Sequence, residues 1–150
     1  MKYENATEIF TVVETFERGT ISRENWRHAE HLTVALFYLS NHDETTAYDK
    51  MRDGIFNLLK SFGVDLTKEM EGYHETLTVF WMKTVDEFRK SKVNCLILET
   101  ANELVEKFDK DYPLRFYSRE FLFSDKARAH FIEADLPALE IARKKSPVAV

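Results

Sequence analysis

Apolar and polar residues alternate along most of the chain with the period of an α-helix. In residues 7–18, Ile9, Val13 and Phe16 recur at four- and three-residue intervals, which places them on one face of a helix. Gly19 follows, and glycine commonly ends helices because it adopts a left-handed backbone without strain. The pattern therefore predicts a first helix that packs one face against the rest of the molecule.

The second predicted helix is apolar on nearly every side. Ser22 is a candidate N-cap, so we expect this helix to extend from there to about Asn41. Within residues 32–39, the only side chains with a polar group are Thr33 and Tyr38, and Tyr38 is largely aromatic. A helix with this composition is surrounded by other elements. We therefore expect it to be the central helix.

Three more helical patterns follow, and then a less regular end. Asp43 or Thr45 opens the third helix, Gly72 opens the fourth, and the fifth covers residues 94–110. After Pro113, two short helices are predicted, with the N-caps Ser118 and Ser124. The patterns predict an all-α, single-domain helical bundle of about five main helices plus short C-terminal helices. We expect this bundle to cover residues 1–136 and residues 137–150 to form a flexible tail.

Composition supports helices and narrows the range of partners. The 150 residues include only 4 Gly and 3 Pro, and 26 acidic against 21 basic residues give a formal net charge of −5. No overall positive field exists to attract nucleic acid or an anionic membrane surface. The single cysteine, Cys95, excludes an internal disulfide, and its apolar neighbours predict a buried position. Without an export signal or a long apolar segment, we expect a cytoplasmic protein with no membrane partner; its oligomeric state stays open.

The candidate chemistry centres on three histidines. His28 and His31 lie three residues apart, so on a helix their side chains are about 60° apart on one face. His74 lies near the start of the fourth helix, in line with Leu77 and Trp81. If the two helices pack with their N-termini at the same end, the three imidazoles can hold a divalent transition metal, Fe, Cu, Zn, Ni or Mn. The alternative is three hydrogen-bonded core histidines.

Two further groups are candidates for contact with a substrate. Glu75 directly follows His74 and is a candidate general base; the alternatives are a fourth metal ligand or a carboxylate that supports the histidine ligands from behind. In residues 112–120, Tyr117 is a candidate catalytic hydrogen-bond donor, and three neighbours are candidates for binding an anion: Arg115, Ser118 and Arg119. The alternative is that the arginines pair with local acids and that Ser118 only caps a helix.

Three blocks of the chain resemble those of a small bacterial family of uncharacterised, all-helical proteins. The blocks are W-x-H-x-x-H at residues 26–31, G-Y-H-E-T at 72–76 and P-L-R-F-Y-S-R-E at 113–120, and the likeness extends over about residues 16–136. The resemblance implies that the blocks build one common site, in which Arg115, Tyr117 and Ser118 accompany the histidines. It supplies no reaction.

These observations favour a metal-dependent enzyme that acts on a small, anionic substrate at the three histidines. Oxygen chemistry is favoured over hydrolysis because an aromatic bundle interior suits a redox-active metal. A non-catalytic protein that binds a metal or a small ligand needs the same residues but no base. A helical adaptor with structural histidines is the third hypothesis, and it would present an exposed apolar patch in place of a pocket.

Overall fold

The computed structural model describes residues 1–67 and 72–136. Within these ranges every regular element is helical, which confirms the predicted all-α bundle. The elements are α1 (Ala6–Arg18), α2 (His28–Asn41), α3 (Glu44–Ser61), α4 (Glu75–Lys90), α5 (Ile97–Lys107), a 3-10 turn (Tyr112–Arg115), α6 (Arg119–Leu122) and α7 (Asp125–Ala129). The predicted tail, residues 137–150, lies outside the described residues.

The central position of α2 follows from its composition. It contacts α1, α3, α4 and α5, and Leu32, Val34 and Ala35 are completely buried. Full burial of a Val or Leu side chain stabilises a fold by about 1.5–3 kcal/mol, so this one helix supplies a large part of the core energy. The prediction of a surrounded helix is confirmed.

The N-terminal segment is bound to two helices that are distant in sequence. The backbone N–H of Tyr3 donates to Oδ1 of Asn102 at 2.8 Å, and Nδ2 of Asn102 donates to the carbonyl of Tyr3 at 2.9 Å. The Tyr3 hydroxyl lies 2.7 Å from Oγ1 of Thr33 on α2. Tyr3 is therefore part of the core, between α2 and α5.

Close packing between α1 and α3 depends on a glycine inside a helix. A Cβ atom at Gly54 would lie 2.3 Å from Cε2 of Phe16, well inside contact distance. The missing side chain lets the Phe16 ring lie against α3, where it also stacks on Trp26 with ring centroids 4.8 Å apart. Gly54 therefore sets how closely these two helices approach.

Three predicted helix starts are wrong. The fourth helix begins at Glu75 and not at Gly72, because His74 is its N-cap. The hydroxyl of Ser22 accepts a hydrogen bond from the N–H of Asn25 in a turn, and α2 begins only at His28. Before α5, Asn94 has a left-handed backbone with φ of 66°, so the helix starts at Ile97. The same loop carries Cys95 to the surface, where it is exposed and not buried as predicted.

The caps predicted further along are confirmed. The side chains of Asp43, Ser118 and Ser124 each accept a hydrogen bond from a backbone N–H in the first turn of the helix that they precede. The short helices α6 and α7 then form a small second core against α4, built around Tyr117, Leu122, Ala127 and Ile132. This C-terminal layer, residues 112–136, covers one side of α4. Among the described residues, no helix is both long and apolar enough to cross a membrane.

Candidate functional site

His28 is the first residue of α2 and is held as a neutral imidazole. Its Nε2 lies 2.8 Å from the carbonyl oxygen of Phe108. A carbonyl only accepts, so Nε2 carries the proton and donates. The ring packs on Trp81, with centroids 4.7 Å apart. Burial lowers the pKa of His28, although the Phe108 carbonyl and nearby carboxylates act in the opposite direction.

His31 has a ring nitrogen without a partner. Nε2 is buried and forms no hydrogen bond within the described part of the chain. The ring lies beside Trp26, with centroids 5.9 Å apart. Burial, together with the nearby His28, lowers the pKa of His31 to about 4. This side chain is therefore neutral at pH 7 and has one unused polar atom, which is uncommon for a buried group.

His74 uses both ring nitrogens to hold backbone groups. It is the N-cap of α4: its Nδ1 accepts from the N–H of Leu77 at 3.1 Å. Its Nε2 donates to the carbonyl of Leu122 at 2.8 Å, which fastens the C-terminal layer to the start of α4. Burial lowers the pKa of His74, so the ring is neutral. Neither nitrogen is available to a metal in this arrangement.

The structure does not bring the three histidines together. The ring of His28 contacts Trp81 of α4. His74 lies seven residues before Trp81, which at a rise of 1.5 Å per residue is about 10 Å nearer the start of α4. Ser40 and Lys90 line one groove near the ends of α2 and α4, so the two helices run in the same direction but are staggered. Residues 1–67 and 72–136 contain no group of three or more His, Cys, Asp or Glu that could hold a metal ion. Metal binding by this chain stays a prediction.

Glu75 lies in an ion pair that does not suit a general base. Its carboxylate accepts from Nε and Nη2 of Arg52 at 3.1 and 2.8 Å, and from the Tyr73 hydroxyl at 2.5 Å. Burial alone would raise the pKa of Glu75, but these hydrogen bonds and the charge of Arg52 outweigh it, and the pKa is lowered. A base that works near neutral pH needs a pKa close to 7. The interactions of Glu75 instead fasten the loop before α4 to α3.

Tyr117 and Ser118 are bound to the last described segment of the chain. The Tyr117 hydroxyl donates to the carbonyl of Ile132 at 2.5 Å, and burial raises its pKa to about 12. Ser118 donates to the Asp135 carboxylate through its backbone N–H at 2.8 Å and its hydroxyl at 2.7 Å. These bonds close the C-terminal layer on itself.

The two predicted anion-binding arginines are exposed. The guanidinium of Arg115 lies over the ring of Tyr112, 5.5 Å from its centroid. Arg119 is the first residue of α6. Neither side chain pairs with a carboxylate of the described residues, and neither lines the cleft between α4 and the C-terminal layer.

A cleft of about 620 Å³ opens between α4, the end of α5 and the C-terminal layer. Half of the residues that line it are aromatic: Phe80, Phe88, Phe108, Tyr112, Phe116, Tyr117 and Phe131. The volume is within the range of small-molecule sites, about 300–1,000 Å³, and such sites are typically lined by apolar and aromatic side chains. Phe108 connects the cleft to His28 through its carbonyl. His28 of the first sequence block therefore lies near the cleft that Phe116 and Tyr117 of the third block line.

Charged groups also line this aromatic cleft. Nζ of Lys83 lies 4.7 Å from the ring centroid of Phe131, and Nζ of Lys107 lies 5.5 Å from those of Phe88 and Phe108. Glu87 and Glu133 line it too.

Sequence reasoning missed the cleft, although α4 carried a signal for it. One face of α4, with residues spaced three or four apart, mixes aromatic with polar side chains. Its members are Phe80, Thr84, Glu87, Phe88 and Ser91. Such a mixture is typical neither of a core face nor of a solvated face. In the structure this line forms one wall of the cleft.

Comparisons with models of protein families, with curated proteins and with solved structures found no match. The resemblance of the three blocks to a bacterial family therefore stays a prediction.

Proposed function

We propose that the protein binds a small, planar organic molecule in the aromatic cleft, without catalysing its conversion. The observation that carries the proposal is the set of seven aromatic residues around a space of about 620 Å³. Aromatic rings stack on a flat ligand at little cost in side-chain entropy, and each stacked or edge-on pair adds about 0.5–1.5 kcal/mol beyond simple burial. A ligand of two fused rings fits such a volume.

The state of the expected catalytic groups supports binding over turnover. Glu75 is paired with Arg52 and Tyr73, and its lowered pKa makes it a weak base. The hydroxyl of Tyr117 already donates its hydrogen bond to the carbonyl of Ile132. The interactions of Glu75 fasten the start of α4 to α3, and the bond of Tyr117 stabilises one wall of the cleft.

A metal-dependent enzyme is the second candidate, and His31 is the observation in its favour. The unpaired Nε2 of His31, close to His28, is a buried ring nitrogen that a metal ion or a water molecule would satisfy. A catalytic metal site usually has three protein ligands, so this candidate needs a ligand beyond the two histidines.

A ligand screen with a blocked cleft tests the proposal. Thr84 lies in the cleft wall, and Thr84→Trp should fill the space with an indole. Thr7, on the exposed side of α1, gives the matched control Thr7→Trp. Thermal denaturation of the three proteins would be followed with a library of planar compounds, since a ligand of the folded state raises the melting temperature.

The expected result is a set of compounds that stabilise the wild type and Thr7→Trp but not Thr84→Trp. Circular dichroism at the start of each melt would show that Thr84→Trp is folded. If no planar compound stabilises the wild type, or if all three proteins respond equally, the cleft is not a ligand site and the proposal fails.

A further inference from the structure

We infer that the cleft selects a planar aromatic molecule with a single negative charge, such as an aromatic carboxylate, through the ammonium groups of Lys83 and Lys107. This inference rests on the proposed function and adds the chemical class of the ligand. It depends on three observations: the absence of ion-pair partners for both lysines, the rings over which they lie, and the two acids that share the cleft.

Lys83 and Lys107 have no carboxylate partner among the described residues, unlike three cations at and just after the end of α4. Arg89 and Lys90 both pair with Asp86, and Lys92 pairs with Glu103. Neither cleft lysine forms such a pair. An unpaired ammonium group beside a concave aromatic surface is available to a ligand carboxylate.

The positions of the two ammonium groups disfavour a cationic ligand. Lys83 lies over the ring of Phe131, and Lys107 lies near the rings of Phe88 and Phe108. A cation is attracted to the same ring faces, so it would have to compete with these lysines and would be repelled by their charge. A flat anion can stack in the cleft and attract the ammonium groups at the same time.

The two acids in the cleft limit the charge of the ligand. Glu87 and Glu133 offset the charges of the two lysines, so the formal charges of the four side chains sum to zero. A ligand with several negative charges, such as a nucleoside triphosphate, would be repelled by both carboxylates. A single carboxylate can approach the lysines while the rest of the molecule stays apolar. This balance favours a monoanion.

Three naphthalene compounds that differ only in charge test the inference. They are the carboxylate, the corresponding amide and the corresponding methylammonium ion, and their dissociation constants would be measured by calorimetry. For the wild type we expect the carboxylate to bind about tenfold more tightly than the amide, and the ammonium ion to bind most weakly. The preference for the carboxylate should shrink with added salt, because these lysines are partly exposed to solvent.

Charge-removing variants assign the preference to the two lysines. Lys83→Gln and Lys107→Gln should each weaken carboxylate binding about 2–5-fold and leave amide binding unchanged. Lys60→Gln, on the exposed surface of α3, is the matched control and should change neither.

The inference is overturned if the wild type binds the carboxylate no better than the amide, if it binds none of the three, or if Lys83→Gln and Lys107→Gln weaken both ligands equally. Equal binding that Thr84→Trp abolishes would refute the charge inference and leave the proposed function standing. Failure of every planar compound in the wider screen would refute both.

Discussion

His74 and His31 have the same side chain but opposite hydrogen-bonding states. The partners of His74 are Leu77, three residues away, and Leu122, 48 residues away. Helical periodicity predicted that His74 lies at a helix start, and the local bond to Leu77 follows from that place. The distant bond to Leu122, which leaves no nitrogen for a metal, depends on how the C-terminal layer folds back. For this reason the helical spacing predicted three inward histidines but not their separate roles.

His74→Ala should therefore cost stability. The change removes an N-cap, worth about 0.5–2 kcal/mol, and leaves the buried carbonyl of Leu122 unpaired, worth about 1–3 kcal/mol. We expect the free energy of unfolding in urea to fall by about 2–4 kcal/mol. His42→Ala, at an exposed helix end, is the control and should change it by less than about 0.5 kcal/mol. Equal effects at both positions would contradict the structural role of His74.

The bonding of His74 also makes a prediction about metal content. Offered iron, copper, zinc, nickel and manganese in turn, folded His74→Ala protein should hold the same amount of metal per chain as the wild type. Elemental mass spectrometry measures this. Any metal that the wild type does hold at His31 should be lost in His31→Ala and kept in His130→Ala, since His130 is exposed. Loss of metal specifically from folded His74→Ala protein would restore the three-histidine site.

Among the helices, local signals predicted some ends well and missed others. The Asp43 cap of α3 was correct because a capping side chain acts only on the next three residues. The start of α5 was missed because Asn94 adopts a left-handed backbone, which its sequence neighbours do not require. The start of α2 was missed because residues 22–27 turn so that Trp26 stacks on Phe16, a tertiary contact. Local chemistry predicts a cap; packing decides where a helix begins.

Gly54 gives a prediction at the contact between α1 and α3. Alanine is the better helix former by about 1 kcal/mol, but its Cβ would collide with the ring of Phe16. We expect Gly54→Ala to lower the free energy of unfolding by about 1–3 kcal/mol, because overpacking outweighs propensity. In a Phe16→Leu background the same change should cost much less, since the ring is gone. An equal cost in both backgrounds would show that the clash is relieved elsewhere.

Over the whole molecule, the fold class was predictable and the cleft was not. Helical periodicity is a local property, and it gave the bundle and the surrounded position of α2. The cleft brings together α4, Lys107 at the end of α5, the turn near Tyr112 and the segment around Phe131. Which faces of these segments meet depends on the stagger between helices, and no single stretch of sequence contains that information.

Acid should destabilise the folded protein through its buried histidines. The pKa values of His28, His31 and His74 are lowered below the ordinary 6.5, so the unfolded chain binds more protons as the pH falls. The stability that these neutral histidines contribute is present above about pH 6.5 and is lost progressively toward pH 4. His31, with its pKa of about 4, accounts for about 2–3 kcal/mol of this loss.

Urea denaturation between pH 7 and 4.5 checks this prediction. The carboxylates of Glu75 and Asp86 have lowered pKa values, so their contribution is lost only below the ordinary carboxyl range. His31→Leu should flatten the pH dependence and keep or increase stability at pH 7, because it removes an unpaired polar atom. His42→Ala should retain the wild-type slope. A wild-type stability that stays constant from pH 7 to 4.5 would contradict the buried, neutral state of these histidines.

The bonds between Tyr3 and Asn102 also determine when the chain can complete its core during synthesis. Asn102 is added to the chain 99 residues after Tyr3. At about 5–20 residues per second, the N-terminal segment waits about 5–20 s for its partner to be made. During this interval α2 lacks α5, and part of its apolar surface is open to the solvent. A growing ribosome-bound chain of this protein should therefore be a substrate for chaperones that bind exposed apolar segments until α5 emerges.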